Sequence, residues 1–373
     1  MHIDQVNVQP IEGLVRELWH RGGTDIHITA GAPPMFRIDG DLIPVQGHAA
    51  LHPDEIEQLV TAMLPVDLQQ QFIEHRAVDF SFSWEDTTRF RGNIFRQRGA
   101  VSMALRAIPF QIPTMEDLLL PPVLGSFCNH RQGLVLMTGP TGSGKSTTQA
   151  AMIGQINRSQ RRHILTLEDP IEYVHSHAQS IISQREIGFD VPTFQDGLRS
   201  ALREDPDVVL VGEMRDPESI ATTLSVAETG HLVFATLHTN DTSSALDRII
   251  DVFPPQRQDQ IRVQLAGALT GIVAQRLVPR VDGGMIAAFE ILIANNAVRS
   301  LIREGKSHQV RNVIGQSVRE GMQTLEQSLS VLVAHGLVSY EEAITRAVLP
   351  KEVRPPAPSP TAHVETAPSA TPA

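Results

Sequence analysis

Residues 139–147 read GPTGSGKST, a complete GxxxxGK[ST] pattern. The apolar run Leu134 to Met137 precedes it, and TTQAAMIGQIN, a stretch suited to a helix, follows. A strand, a glycine-rich loop and a helix in that order make a phosphate cradle. Gly139, Gly142 and Gly144 permit the unusual backbone angles that let successive N–H groups surround phosphate oxygens at the positive end of a helix. The whole loop, Gly139, Pro140, Thr141, Gly142, Ser143, Gly144, Lys145, Ser146 and Thr147, is the expected nucleotide-binding segment. Lys145 would reach the β- and γ-phosphates, and the Ser146 hydroxyl would serve Mg²⁺. Such a loop reads phosphates and leaves the base unspecified.

Hydrolysis needs acids near that loop. DVVLVGEMRD places Glu213 just past an apolar strand, where its carboxylate can face a metal held by the loop, a solvated strand-end carboxylate being the alternative. Asp207, before the same run, reads as a strand-start residue. HILTLEDPIEYVH sets Glu168, Asp169 and Glu172 at the end of another buried strand, which Pro170 terminates. Ligands of parallel sheets gather at such carboxyl ends, and Glu168 is the first choice to orient or deprotonate an attacking water. An ordinary surface turn is the competing reading for these three acids.

HLVFATLHT carries His231 and His238 seven residues apart, an odd offset that points them to opposite faces of a strand. His238, at the strand's end, could sense a γ-phosphate and His231 reads as structural or interdomain, with a histidine merely satisfied by its local surroundings as the competing reading. Arg89, Arg91, Arg96 and Arg98 alternate within pairs, which can aim two guanidinium groups from one strand face. A guanidinium beside a transferring phosphate stabilises its charge, and a solvated edge strand is the alternative. Arg199, Arg203 and Arg215 form a second group around the Glu213 strand.

The elements that must position these groups fall into two units. Residues 1–109 read as a mixed α/β domain: an opening amphipathic helix, a hairpin with Asp39-Gly40 at its turn, and three alternating segments, VDFSFSW, FRGNIFRQRG and VSMALRAI. The Pro-bearing segment 110–116 is the expected interdomain linker. Over residues 117–351 apolar runs alternate with helical ones, the pattern of a largely parallel sheet, and several helices follow HLVFATLH. Residues 352–373, rich in Pro, Ala, Ser and Thr, cannot build a core and read as a disordered tail.

A 373-residue chain with 41% hydrophobic residues can bury two cores. Its net charge of -11 argues against a general nucleic-acid binder, so no nucleic acid is expected. Cys128, the single cysteine, excludes an internal disulfide and a four-cysteine zinc site and fits a reducing compartment such as the cytosol. Neither a secretion signal nor a membrane span is expected.

Taken together and in this order, the motifs resemble those of the secretion ATPase superfamily. The likeness is nearest to the type IV pilus retraction (twitching-motility, PilT-like) ATPases and covers roughly residues 15–351. GPTGSGKST is similar to the Walker A loop, LEDPIEYVH to the Asp box, DPDVVLVGEMRD to the unusual Walker B, and HLVFATLHT to the His box. TDIHITAGAPPMFRIDG resembles the N-terminal PAS-like domain. AVRSLIREGK resembles the AIRNLIRE motif associated with retraction, departing at Val298 and Ser300.

The resemblance implies a PAS-like α/β domain, a RecA-like P-loop ATPase domain with a helical C-terminal extension, and a ring-shaped homohexamer. ATP and Mg²⁺ are the implied cofactors, with Lys145 and Ser146 on phosphate and metal, Glu168 and Glu213 supporting hydrolysis, and His238 as sensor. Family members send arginines toward nucleotide from the segment that holds Arg89, Arg91, Arg96 and Arg98. Hydrolysis would move the domains through a hinge at Pro109 to Pro113, turn an inner-membrane platform protein, and withdraw pilin. The implied location is the cytoplasm, peripheral at the inner face of the membrane, with related pilus ATPases as further partners. Cys128 alone disfavours the assembly and type II secretion members, which often carry four cysteines. An accessory retraction paralogue and a nucleotide-binding ring without turnover remain the alternatives.

Overall fold

The computed structural model describes residues 6–38, 40–85, 88–108 and 112–356. The first unit is a six-stranded antiparallel sheet: β1 (Asp25–Ile28), β2 (Met35–Ile38), β3 (Asp41–Pro44), β4 (Ala77–Trp84), β5 (Thr88–Gln97) and β6 (Ala100–Ile108), in the order β3-β2-β1-β6-β5-β4. Pairing of Ile38 with Asp41 leaves two residues for the turn between β2 and β3, and Asp39 itself lies outside the described residues. Helices α1 (Glu12–His20), α2 (Pro53–Met63) and α3 (Val66–His75) pack on β1, β6 and β4. Apolar residues at helical spacing (Val15, Leu18, Ile56, Val60) meet alternate strand residues (Phe80, Phe82, Phe90) in one core.

The second unit contains β7 (Gly133–Thr138), β8 (His163–Glu168), β9 (Ile181–Glu186), β10 (Val208–Val211), β11 (Leu232–Leu237), β12 (Leu269–Pro279) and β13 (Met285–Ile293). The order is β13-β12-β7-β11-β10-β8-β9, parallel throughout except for the antiparallel β12–β13 pair. Every residue of β7, β10 and β11 is buried, which is why these strands are continuous apolar runs. Alternate residues feed two layers. Val135 and Met137 meet α4 (Pro122–Cys128) and α5 (Lys145–Ser159) on one face. On the other, Leu134 and Leu136 share a core with α6 (Phe194–Ala201), α7 (Pro217–Glu228), α8 (Thr242–Asp251) and α9 (Pro255–Ala268).

Beyond α9 the structure differs from the sequence expectation of helices alone, because the hairpin β12–β13 intervenes. TGIVAQRLVP lacks clear alternation because β12 is an interior strand, and MIAAFEILI, the edge strand β13, is apolar at every position but Glu290, so period 2 gives no signal in either. The helical extension follows: α10 (Asn296–Arg303), α11 (Val310–Gln316), α12 (Leu325–Ala334) and α13 (Tyr340–Arg346), the last two packing with Val278, Ile286 and Val353 in a small core of their own. Of the expected hinge, Pro109 to Gln111 lie outside the described residues, as do 357–373 of the expected tail.

Candidate nucleotide site

Strand β7 delivers the chain into the glycine-rich loop, and α5 begins at Lys145. Gly139, Gly142 and Gly144 sit at φ +144°, +77° and +83°. At Gly139 a Cβ would lie 2.3 Å from the Gln275 carbonyl oxygen, so close approach as well as backbone angle requires glycine there. The Lys145 ammonium is turned back onto its own loop, donating to the carbonyls of Gly139 (2.7 Å) and Pro140 (3.0 Å), and burial lowers its pKa. Thr147 Oγ1 and the Tyr173 hydroxyl, 2.8 Å apart, join α5 to the segment after β8.

A cavity of about 590 Å³ opens at the carboxyl ends of β8, β10 and β11. Lys145, Ser146, Glu168, Glu213 and His238 all line it, so the parallel sheet gathers side chains drawn from four separate motifs, two of which supply the acids. Thr141, Gly142, Ser143, Gly144 and Thr147 border it too, whereas Gly139 and Pro140 sit behind, holding Lys145 through their carbonyls.

Glu168 is buried, and burial pushes its carboxyl up to about 7. Thr166 Oγ1 (2.7 Å) and Gln184 Nε2 (3.3 Å) donate to one oxygen, and the Glu172 N–H (3.4 Å) to the other. A carboxylate that can gain or lose a proton near neutral pH is equipped to act as a base. Glu213 has the opposite character. Its hydrogen bond from Arg215 (2.7 Å) lowers its pKa, with His238 Nε2 3.5 Å away adding to the effect, so it stays ionised. An ionised carboxylate and the Ser146 hydroxyl, both lining the cavity, are oxygen donors of the kind a hard cation takes.

The other candidates separate. Asp207 immediately precedes β10, accepting the His163 N–H at 2.8 Å. His231, just before β11, meets the Val226 carbonyl through Nδ1 (3.0 Å). Arg199 pairs with Glu218. Among the arginines of β5, Arg89 is buried against Glu186 of β9 (2.9 Å) and Arg91 lies 3.9 Å from Glu172. Arg96 pairs with Glu57 (2.7 Å) and covers the Phe72 ring, while Arg98, at φ +50°, turns the chain into β6. None of these four lines the cavity.

Arg106 of β6 does, with its Nε donating to Asp25 Oδ1 at 2.7 Å. It lies outside the paired spacing that singled out the other arginines. A second cavity, about 250 Å³, adjoins the loop at Gly144 and Thr147 and is walled by Leu118, Leu120 and Leu277. There Gln275 Oε1 is buried without a partner.

Fold and site together define a P-loop nucleoside-triphosphate-binding protein with an appended α/β domain. The family model described as type II/IV secretion system protein matches residues 8–289, and the chain belongs to that family. It is 44% identical over 335 residues to the type IV pilus retraction ATPase PilT of Pseudomonas aeruginosa, covering 89% of this chain and 96% of the relative. The type IV pilus ATPase PilU of the same organism is 40% identical over 344 residues, covering 92% and 90%. Among solved structures, the pilus retraction motor PilT with bound ADP superposes with a TM-score of 0.86 at 46% identity, covering 92% and 98% of the two chains. Among the described residues, no helix is long and apolar enough to cross a membrane, and no group of three or more His, Cys, Asp or Glu is arranged to hold a metal by itself.

Proposed function

We propose that this chain is an Mg²⁺-dependent ATPase that forms a homohexamer and powers type IV pilus retraction, withdrawing pilin at an inner-membrane platform protein from the cytoplasmic face. One observation carries the hydrolytic part of the reading. A phosphate loop shares its cavity with one buried carboxyl whose pKa is about 7 and one carboxylate held ionised. The likeness to a retraction motor over nine-tenths of the chain supports the mechanical part.

In this reading, phosphate oxygens replace the Gly139 and Pro140 carbonyls around Lys145. Ser146 and Glu213 would hold Mg²⁺, which when bound supplies charge neutralisation at the β- and γ-phosphates. Glu168 accepts a proton from the attacking water, His238 senses the γ-phosphate beside Glu213, and Arg106 reaches the cavity from the N-terminal unit. The adjoining leucine-walled cavity receives the base, with Gln275 Oε1 free to accept from an exocyclic amine.

Replacing Glu213 by Gln tests the assignment. ATP binding should survive within about threefold while phosphate release falls by about 10² or more. Unchanged turnover would remove Glu213 from the mechanism.

A further inference from the structure

We infer that Arg89 is a positioning residue, acting on hydrolysis through Glu186 across the contact between the two units and not by touching nucleotide. The inference rests on the ATPase reading above. Strand β5 carries Arg89 inward, where Nη2 donates to Ser81 Oγ (2.7 Å) and to Glu186 Oε2 (2.9 Å). The two charged side chains are only 8% and 4% exposed.

Glu186 is tied to the catalytic segment in two ways. It ends β9 directly opposite Glu168, which ends β8, and the next residue, Ile187, donates its N–H to the Glu168 carbonyl at 2.9 Å. The oxygen that pairs with Arg89 also accepts the Ile171 N–H, at 3.3 Å. Ile171 lies between Glu168 and Glu172, and the Glu172 N–H returns to the Glu168 carboxyl. A chain of contacts therefore runs from Arg89 through Glu186 and Ile171 to the base. Arg91, 3.9 Å from Glu172, braces the same segment from the same strand.

Removing Arg89 leaves the Glu186 carboxylate buried without its counter-charge, a strongly destabilising state, and we expect the group to move toward water in response. That movement would pull Ile171 and the segment carrying Glu172, displacing the base while leaving the phosphate loop in place.

The test uses the full chain as Arg89→Met and as Arg89→Met with Glu186→Gln. Glutamine carries no charge, and its oxygen can still accept the Ile171 N–H. ATP affinity, phosphate-release rate and particle mass are measured on each preparation. Arg89→Met should lower kcat by about tenfold or more with Kd for ATP within about threefold, as expected for a misplaced base. The double variant should return kcat to within about threefold of wild type, because the stranded charge is gone. A double variant as slow as Arg89→Met, or an Arg89→Met enzyme at the wild-type rate, overturns the proposal. Should Arg89→Met fail to fold, the double variant decides alone: near-wild-type turnover supports the tether, and slow turnover overturns it. Wild type without turnover sinks the ATPase reading and this inference with it, whereas active wild type beside a slow double variant sinks only the role of Arg89.

Discussion

Replacing Glu168 by Gln should change both turnover and the pH dependence of stability, with signs fixed by the environment of the carboxyl. Burial lifts its pKa from an ordinary 4.5 to about 7. Below pH 4.5 the group is protonated folded or unfolded. Between 4.5 and 7 the folded chain holds a proton that the unfolded chain has released, and above 7 the folded state carries a buried charge. Wild-type stability therefore falls as pH rises through this window, by at most about 3 kcal/mol. Glutamine removes the charge and keeps an acceptor for Thr166 Oγ1 and Gln184 Nε2. It loses the acceptor for the Glu172 N–H, a cost of about 1 kcal/mol.

The variant should thus be about 1 kcal/mol less stable than wild type at acid pH and about 2 kcal/mol more stable at about pH 8. Denaturant midpoints across that range measure the crossing, and phosphate release should be lower by about 10² to 10⁴ at every pH. A stability difference that does not vary with pH would refute the burial argument, and undiminished turnover would refute the base assignment.

Two further changes probe the scaffold. Arg299, on α10, donates to the carbonyls of Gly267 (2.8 Å), Leu269 (2.9 Å) and Ala294 (2.9 Å) and also reaches Ala266, stapling the carboxyl end of α9 to α10. Arg299→Met should cost about 2–3 kcal/mol in denaturant unfolding, and a change below about 0.5 kcal/mol would show the staple to be idle. Gly139→Ala places a methyl 2.3 Å from the Gln275 carbonyl oxygen, so calorimetry should detect ATP binding weaker by about tenfold or more, and unaltered affinity would contradict the loop geometry.

The phosphate loop was legible because its chemistry is contiguous, and Glu168, Glu213 and His238 because each lies at or just past the end of an apolar strand of a parallel sheet. Their meeting in one cavity follows from topology that such runs announce. Arg106 and the Arg89–Glu186 pair were not legible. The latter joins residues 97 apart in sequence through a contact between two units, and strand spacing records which face a side chain takes but not what stands opposite. The β12–β13 hairpin escaped for a local reason, since its interior strand lacks period 2 and its second strand, MIAAFEILI, is apolar at every position but Glu290. Arg299 likewise reads as one residue of an amphipathic helix until the carbonyls of α9 are seen around its guanidinium.

The central claim is that the cavity hydrolyses ATP within an assembled ring, and phosphate release by the purified full chain with Mg²⁺ and ATP, measured beside Lys145→Ala with the mass of both particles recorded, tests it most directly. The account predicts hydrolysis by wild type, loss of it by about 10² or more in the variant, and the same six-subunit mass for both. Equal turnover in the two proteins, or none in a correctly assembled wild type, would contradict it.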